Sequence, residues 1–386
     1  MAVVETTRES WISRLGGSIK GIVVGLVLFI LGFPVLFWNE GNSVRTAKAL
    51  AEGEGACVAL DGADRVDPDY DGRLVHVTGR ATTQDILADE EFGISENAIR
   101  LERGVEMFQW VEHSRTTEKK NVGGSVTRTT TYTYEKKWSD DVEDSSSFKE
   151  SGHDNPAAIP FEEKTRLAQE VRLGAFRLGE RQISRIGRDQ ELVPGAEYKC
   201  PVAGAQVRGG TIYIPGPAAW EGERDIASQP QVGDIRVTFR VVRPHAVSIV
   251  SRQVGDSFAP YIAKNGKKLD MLVDGERDSA EMFADARRGN ATMTWILRAV
   301  GFMMMFFGLS MVLRPLSVVG DIIPFVGTVI GMGTGFVAGA VAFACALVTV
   351  AVAWIFYRPV LGIALLAIAG LVAWLLWKRK NEGAKA

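Results

Sequence analysis

Cysteine is scarce: the 386 residues hold three, Cys57, Cys200 and Cys345. That rules out both a disulfide-dense scaffold and a four-thiolate zinc centre. Histidine is equally thin. His76, His113, His153 and His245 lie far apart, and none stands at the H-x-x-x-H or H-E-x-x-H spacing by which a helix turns two imidazoles toward one zinc. No G-x-S-x-G elbow is present. Residues 331–335 (GMGTG) mimic a phosphate loop, but no strand precedes them and no Lys-Ser or Lys-Thr follows. A surplus of one charge is missing too: 44 Lys and Arg against 46 Asp and Glu leave a net charge of -2, without the basic face that nucleic acid requires. The residues therefore nominate no catalytic, metal or cofactor-binding group and no cofactor, and nucleic acid is not an expected partner.

Apolar sequence is abundant, and it is unevenly spread. It crowds into roughly the first 40 and last 95 positions around a polar middle of about 250, so the mean hydropathy of +0.05 averages two solvents. Residues 21–38 (GIVVGLVLFILGFPVLFW) carry no charge, and a helix needs about 20 such residues to cross about 30 Å of hydrocarbon. A cleaved signal peptide would need small residues after the run, whereas Phe37, Trp38, Asn39 and Glu40 follow. Residues 293–313 form a second expected span between Arg287-Arg288 and Arg314, with Arg298 close enough to the end to snorkel. The 40 residues from 317 to 356 hold one acid, Asp321, and one proline, Pro324. The chain from 314 therefore divides into a cytoplasmic or interfacial re-entrant piece at 314–325 and a third span at 326–356 that must tilt or bend. Residues 357–359 (YRP) break the run, 360–377 make a fourth span, and 378–386 are a basic tail.

The bias of Lys and Arg in short flanks sets orientation. Arg8, Arg14, Lys20, Arg314, Lys378, Arg379, Lys380 and Lys385 fall on one side of a four-span chain. Residues 1–20 and the tail are thus expected in the cytoplasm, and 39–292 in an extracytoplasmic or luminal domain. Trp38, Arg298, Arg314 and Asp321 are the expected membrane-interface residues. Gly17, Gly21 and Gly25, and then Gly327, Gly331, Gly335 and Gly339, recur every four residues. Each set gives a helix a smooth groove for close packing or oligomerisation.

The polar middle reads as an α+β domain dominated by antiparallel strands. Ile235, Val237, Phe239 and Val241 alternate with polar residues, the period of a half-buried strand. Residues 247–250 are expected to pair with it across Arg243-Pro244-His245. Residues 105–112 and 125–138 should form a long hairpin around Asn121-Val122-Gly123-Gly124. Further short strands are expected at 73–78, 210–214 and 268–273, and a short helix at 177–185. The acidic loop 139–160 lacks the alternating ligands and the glycine of a calcium loop. Cys57 and Cys200, both in the expected oxidising compartment, are a possible disulfide; Cys345 reads as a small packing residue.

Several stretches together resemble the transmembrane protein 43 family, also called LUMA. They are residues 37–41 (FWNEG), 44–52 (VRTAKALAE), 105–112 (VEMFQWVE), 132–138 (YTYEKKW), 144–148, 153–156, 232–242 and the glycine-rich sequence ending at 357–364 (YRPVLGIA). The resemblance implies four spans and a large luminal domain. It also implies, for eukaryotic relatives, residence in the endoplasmic reticulum and inner nuclear membrane, self-association, and contacts with lamins and emerin. It carries no catalytic residues. The richness in Ala, Gly, Val and Arg points to a bacterial member of the inner membrane, for which the nuclear partners would not apply. The expected function is a non-enzymatic membrane scaffold that contacts the lipid bilayer, forms homo-oligomers through its glycine-faced helices and engages an unidentified protein partner. The alternatives are a channel or transport component with a pathway near Asp321 and Pro324, and an ecto-hydrolase.

Overall fold

The structure is a computed structural model that describes residues 3–195, 197–216 and 224–359. The expected fourth span at 360–377 and the tail at 378–386 lie outside the described residues. The chain divides into two compact units. One comprises Met1–Glu5, Glu52–Thr116 and Thr130–Phe283; the other comprises Thr6–Ala51, Thr117–Thr129 and the chain from Ala284 onward.

The first unit is built on two mainly antiparallel sheets. One runs in the order β1 (Val3–Glu9), β7 (Val126–Ser139), β6 (Arg100–Lys120), β14 (Ile235–Val242), β13 (Thr211–Ile214) and β12 (Gln206–Arg208), with β8 (Lys164–Leu167) on β6 and β11 (Gln190–Glu191) on β14. The other runs β10 (Phe176–Leu178), β9 (Val171–Leu173), β3 (Leu74–Thr82), β15 (Ala246–Val254) and β16 (Ser257–Ala259). Here β19 (Met271–Asp274) joins β15, and β2 (Val58–Ala59) lies parallel to β3. Two small pairs complete the set, β4 (Ile86–Asp89) with β5 (Ile94–Asn97) and β17 (Tyr261–Ile262) with β18 (Lys268–Leu269).

The expected alternation on β14 holds: Ile235, Val237, Phe239 and Val241 are all buried, and in register Ile235 faces Met107 and Val237 faces Val105 on β6. Phe92 meets Phe239 at 5.8 Å and Phe161 at 5.2 Å in this core. The expected pairing of 247–250 with β14 is wrong. β15 pairs with β3, β16 and β19 in the other sheet. Its residues Val247 to Ser251 are buried without alternation, the pattern of a strand covered on both faces rather than of a hairpin partner. The long hairpin is present as β6 and β7, turned at Gly123 and Gly124 with φ of 87° and 77°. These are left-handed angles that glycine adopts without a Cβ clash. The helix expected at 177–185 shrinks to the single turn α2 (Glu180–Ile183), because Phe176, Arg177 and Leu178 pair with β9 instead.

The second unit is helical. α1 (Trp11–Ala56) runs unbroken through Pro34, α3 (Ser279–Gly320) through Pro315, and α4 (Pro324–Tyr357) starts on a proline, whose missing N–H costs nothing at a first turn. Among the described residues these three helices are long and apolar enough to cross a membrane. In the piece expected at 314–325, Arg314 and Pro315 continue α3, and only Asp321, Ile322 and Ile323 separate it from α4.

Glycine sets the closeness of the helices, in a pattern different from the expected one. A Cβ on Gly25 would stand 2.5 Å from the Gly308 carbonyl oxygen, and one on Gly308 2.6 Å from that of Gly25. Gly32 meets Met305 and Gly301 meets Leu36 in the same way, at 2.6 and 2.5 Å. The seam between α1 and α3 is therefore Gly25, Gly32, Gly301 and Gly308. Of the nominated residues, Gly21 only grazes Met311 at 3.9 Å, Gly17 faces open space, and Gly25 alone is central. On α4, Gly327 abuts the backbone and carboxylate of Asp321, Gly331 lies against Ser317, Gly339 lies against Phe306 at 3.7 Å, and Gly335 meets nothing among the described residues. The fully buried line of α4 is alanine, at Ala338, Ala342 and Ala353.

Candidate functional site

Two buried carboxylates define the polar chemistry of the helical unit. α1 carries Glu40 just past its apolar stretch, and the residue has no exposed surface. Arg298 of α3 donates to it twice, from Nε to Oε1 at 2.6 Å and from Nη2 to Oε2 at 2.9 Å. Trp354 of α4 donates its Nε1–H to the same Oε2 at 2.8 Å. A carboxylate removed from water is stable only when paired and hydrogen-bonded, and here each helix supplies one member. The guanidinium also lies 4.6 Å from the Trp295 ring and 5.8 Å from that of Trp354, a cation–π setting strengthened by desolvation. One turn away Asn39 donates to the Thr294 carbonyl at 3.0 Å, and Thr294 to the Ser43 hydroxyl at 2.8 Å. Arg298 was expected to snorkel; it is held by Glu40 instead. Sequence reasoning missed Glu40, although an acid two residues beyond Trp38 at the end of a span, with Arg298 at the matching depth of another, is a readable signal.

Next to this pair an apolar groove of about 410 Å³ runs along α3 and α4. Phe302, Phe343, Ala346 and Val350 line its depth, and Arg298, Trp295 and Trp354 its other end.

The second carboxylate is Asp321, whose side chain is 1% exposed. Arg14 binds Oδ2 at 2.5 Å and Lys120 binds Oδ1 at 2.7 Å. Trp11 donates to the Val318 carbonyl at 2.8 Å, Arg14 to the Gly124 carbonyl at 2.5 Å, and the Gly123 amide to the Ile322 carbonyl at 3.1 Å. Desolvation pushes the Asp321 carboxyl up, yet the hydrogen bonds from Lys120 and Arg14 outweigh it and hold the group below its ordinary value. Both oxygens are thus consumed by cations, and none of the described cavities includes them. The pathway suggested near Asp321 and Pro324 is not favoured. Lys120 and Gly123, placed across the bilayer from Arg14 by the charge bias, lie against it. Of the other nominated interface residues, Trp38 and Arg314 are exposed.

Cys57 and Cys200 are both free thiols, so the suggested bridge is not made. Cys57 follows the end of α1, whereas Cys200 packs into the core around Phe92 and Phe239. Burial pushes the Cys57 thiol up to about 11. The four histidines remain apart: His76 contacts the Arg277 carbonyl, His245 pairs with Asp274, His113 with Glu135, and His153 stacks on Tyr134 at 4.1 Å. Among the described residues no three His, Cys, Asp or Glu side chains converge as metal ligands would.

Three long apolar helices held by buried ion pairs, carried on one chain with a two-sheet unit, define an integral membrane protein in contact with the lipid bilayer. The chain belongs to the transmembrane protein 43 family, whose model matches residues 107–359. It is 35% identical to transmembrane protein 43 of Rattus norvegicus over 381 residues, covering 96% of this chain and 92% of the relative. The Homo sapiens protein is 33% identical over 380 residues, with the same coverages, and the Drosophila melanogaster homolog 29% over 387, covering 98% and 96%. No solved structure matches. The relatives are eukaryotic, and the expectation of a bacterial member finds no support in them.

Proposed function

We propose that the protein is a non-enzymatic scaffold of the endoplasmic reticulum or inner nuclear membrane, self-associating through its helices and engaging a protein partner through its β-rich unit. The observation that carries this reading is the division of labour among the glycines. Gly25, Gly32, Gly301 and Gly308 are spent on packing inside one chain, while Gly17 and Gly335 face open space and leave bare backbone for a second copy to approach. Phe336, beside Gly335, is 80% exposed, which gives that approach an apolar surround. The buried ion pair at Glu40 supports the same reading, because it locks three helices into one platform.

The test is oligomer size in nanodiscs. Gly335→Ile is expected to shift the protein toward monomer while its thermal unfolding in detergent stays unchanged, since among the described residues a Cβ there has no neighbour within 4 Å. An unaltered size distribution would sink self-association through this face. Gly331→Ile does not serve, because Ser317 lies 2.9 Å from the position of its Cβ.

A further inference from the structure

We propose that the groove beside Arg298 is a binding site for one phospholipid, whose acyl chain lies between α3 and α4 and whose ester or phosphate oxygen meets the Arg298 guanidinium. This goes beyond the scaffold reading and does not depend on it. The groove's volume, about 410 Å³, falls within the range of about 300–1,000 Å³ typical of small-molecule sites. Its polarity is graded along its length. Phe302, Phe343 and Ala346 make one end wholly apolar, whereas the other ends at Arg298 between Trp295 and Trp354. Tryptophans concentrate at the headgroup level of a bilayer, and Trp295 is 67% exposed, so the graded groove has the orientation of a lipid in its own leaflet.

The guanidinium supplies the matching charge. Glu40 takes Nε and Nη2, and among the described residues nothing hydrogen-bonds to Nη1. Its two N–H groups remain to donate to an anionic or ester oxygen, for which arginine is suited geometrically. The Glu40 pairing holds the fork in place before any ligand arrives, so little side-chain freedom is lost on binding. A sterol would fill the apolar end but offer one hydroxyl to a group with two donors free.

The experiment uses the full chain in nanodiscs of phosphatidylcholine doped with phosphatidylcholine carrying a diazirine at the end of one acyl chain. Photolabelling is expected on peptides containing Phe302 and Phe343. It should saturate with probe, be competed by unlabelled phosphatidylcholine, and survive transfer to detergent. Ala346→Phe and Val350→Phe fill the groove from different turns while keeping it apolar, and either should reduce the saturable labelling several-fold in protein that remains monodisperse and helical. A headgroup-less diazirine alkane should label the groove several-fold less. Several outcomes overturn the proposal: labelling that never saturates, labelling spread evenly onto Phe336 and Ile355, indifference to both fillings, or equal labelling by the alkane. Competition by cholesterol and not by phosphatidylcholine overturns it in favour of a sterol. A quantitative disulfide between Val350→Cys and a cysteine placed within 360–377 overturns it in favour of the chain itself as occupant.

Discussion

Glu40 shows how one residue can matter beyond its contact count. Replaced by alanine, it leaves the Arg298 guanidinium, 19% exposed, without its anion; breaking a fully buried pair from one side costs about 3–5 kcal/mol, which is the upper bound here. Glu40→Ala should therefore lower the thermal midpoint in detergent sharply. The double variant Glu40→Leu, Arg298→Met removes both charges and should recover much of that loss; a double variant as unstable as the single one would show that the pair is not what holds the site. Cys57 offers a chemical reading of burial. Its thiol is pushed up to about 11, and since the thiolate is the nucleophile, alkylation of a Cys200→Ser, Cys345→Ala protein should stay slow through neutral pH and accelerate only as pH approaches that value. Rapid labelling at neutral pH would contradict the packing described around it.

At the scale of elements, the decisive contrast is between two glycines in apolar helices. Gly25→Val forces a branched side chain onto the Gly308 backbone, and overpacking of this kind costs about 1–3 kcal/mol. Gly335→Val meets nothing among the described residues and should leave thermal stability unchanged; equal effects of the two would refute the seam. In the β-rich unit, Phe239→Ala empties a fully buried ring position and should destabilise by about 3–5 kcal/mol. Much of this was readable beforehand. The period-2 pattern named the buried face of β14, and the Asn121-Val122-Gly123-Gly124 turn located the hairpin, because both signals are local. The partner of β15 was not readable, since Pro244 and an unalternating buried run specify that the chain leaves its sheet without saying where it goes. The α1–α3 seam was misread for a related reason. Four-residue repeats drew attention to Gly17 and Gly21, while the glycines in contact stand seven apart on each helix, at 25 and 32 and at 301 and 308.

For the whole molecule, the Asp321 cluster gives sidedness a handle. The hairpin tip carries Glu118, Lys119 and Arg128 on exposed strand, and open strand edges with such residues do not lie in hydrocarbon. The Asp321 cluster therefore predicts that the tip and the N-terminal segment share one aqueous face. In a cysteine-free background, a membrane-impermeant maleimide should label Val122→Cys, at a position 87% exposed, from the same side as Ser10→Cys; labelling from opposite sides would break the cluster. Acid supplies a second test. A depressed folded-state carboxyl contributes stability above its unfolded value of about 3.9 and loses it as pH falls through the lower folded value. Hydrogen exchange of residues 117–129 should thus be flat from neutral pH to about pH 4 and rise below it, beyond the intrinsic pH dependence of exchange, and Asp321→Asn should show raised exchange already at neutral pH.

The seven-residue recurrence of glycine on α1 and α3 has an evolutionary corollary. Each residue turns a helix by about 100°, so deleting a single one between Gly25 and Gly32, or between Gly301 and Gly308, swings one notch away from its counterpart and leaves bulky side chains to collide. These two intervals should tolerate exchanges of apolar type while rejecting any change of length.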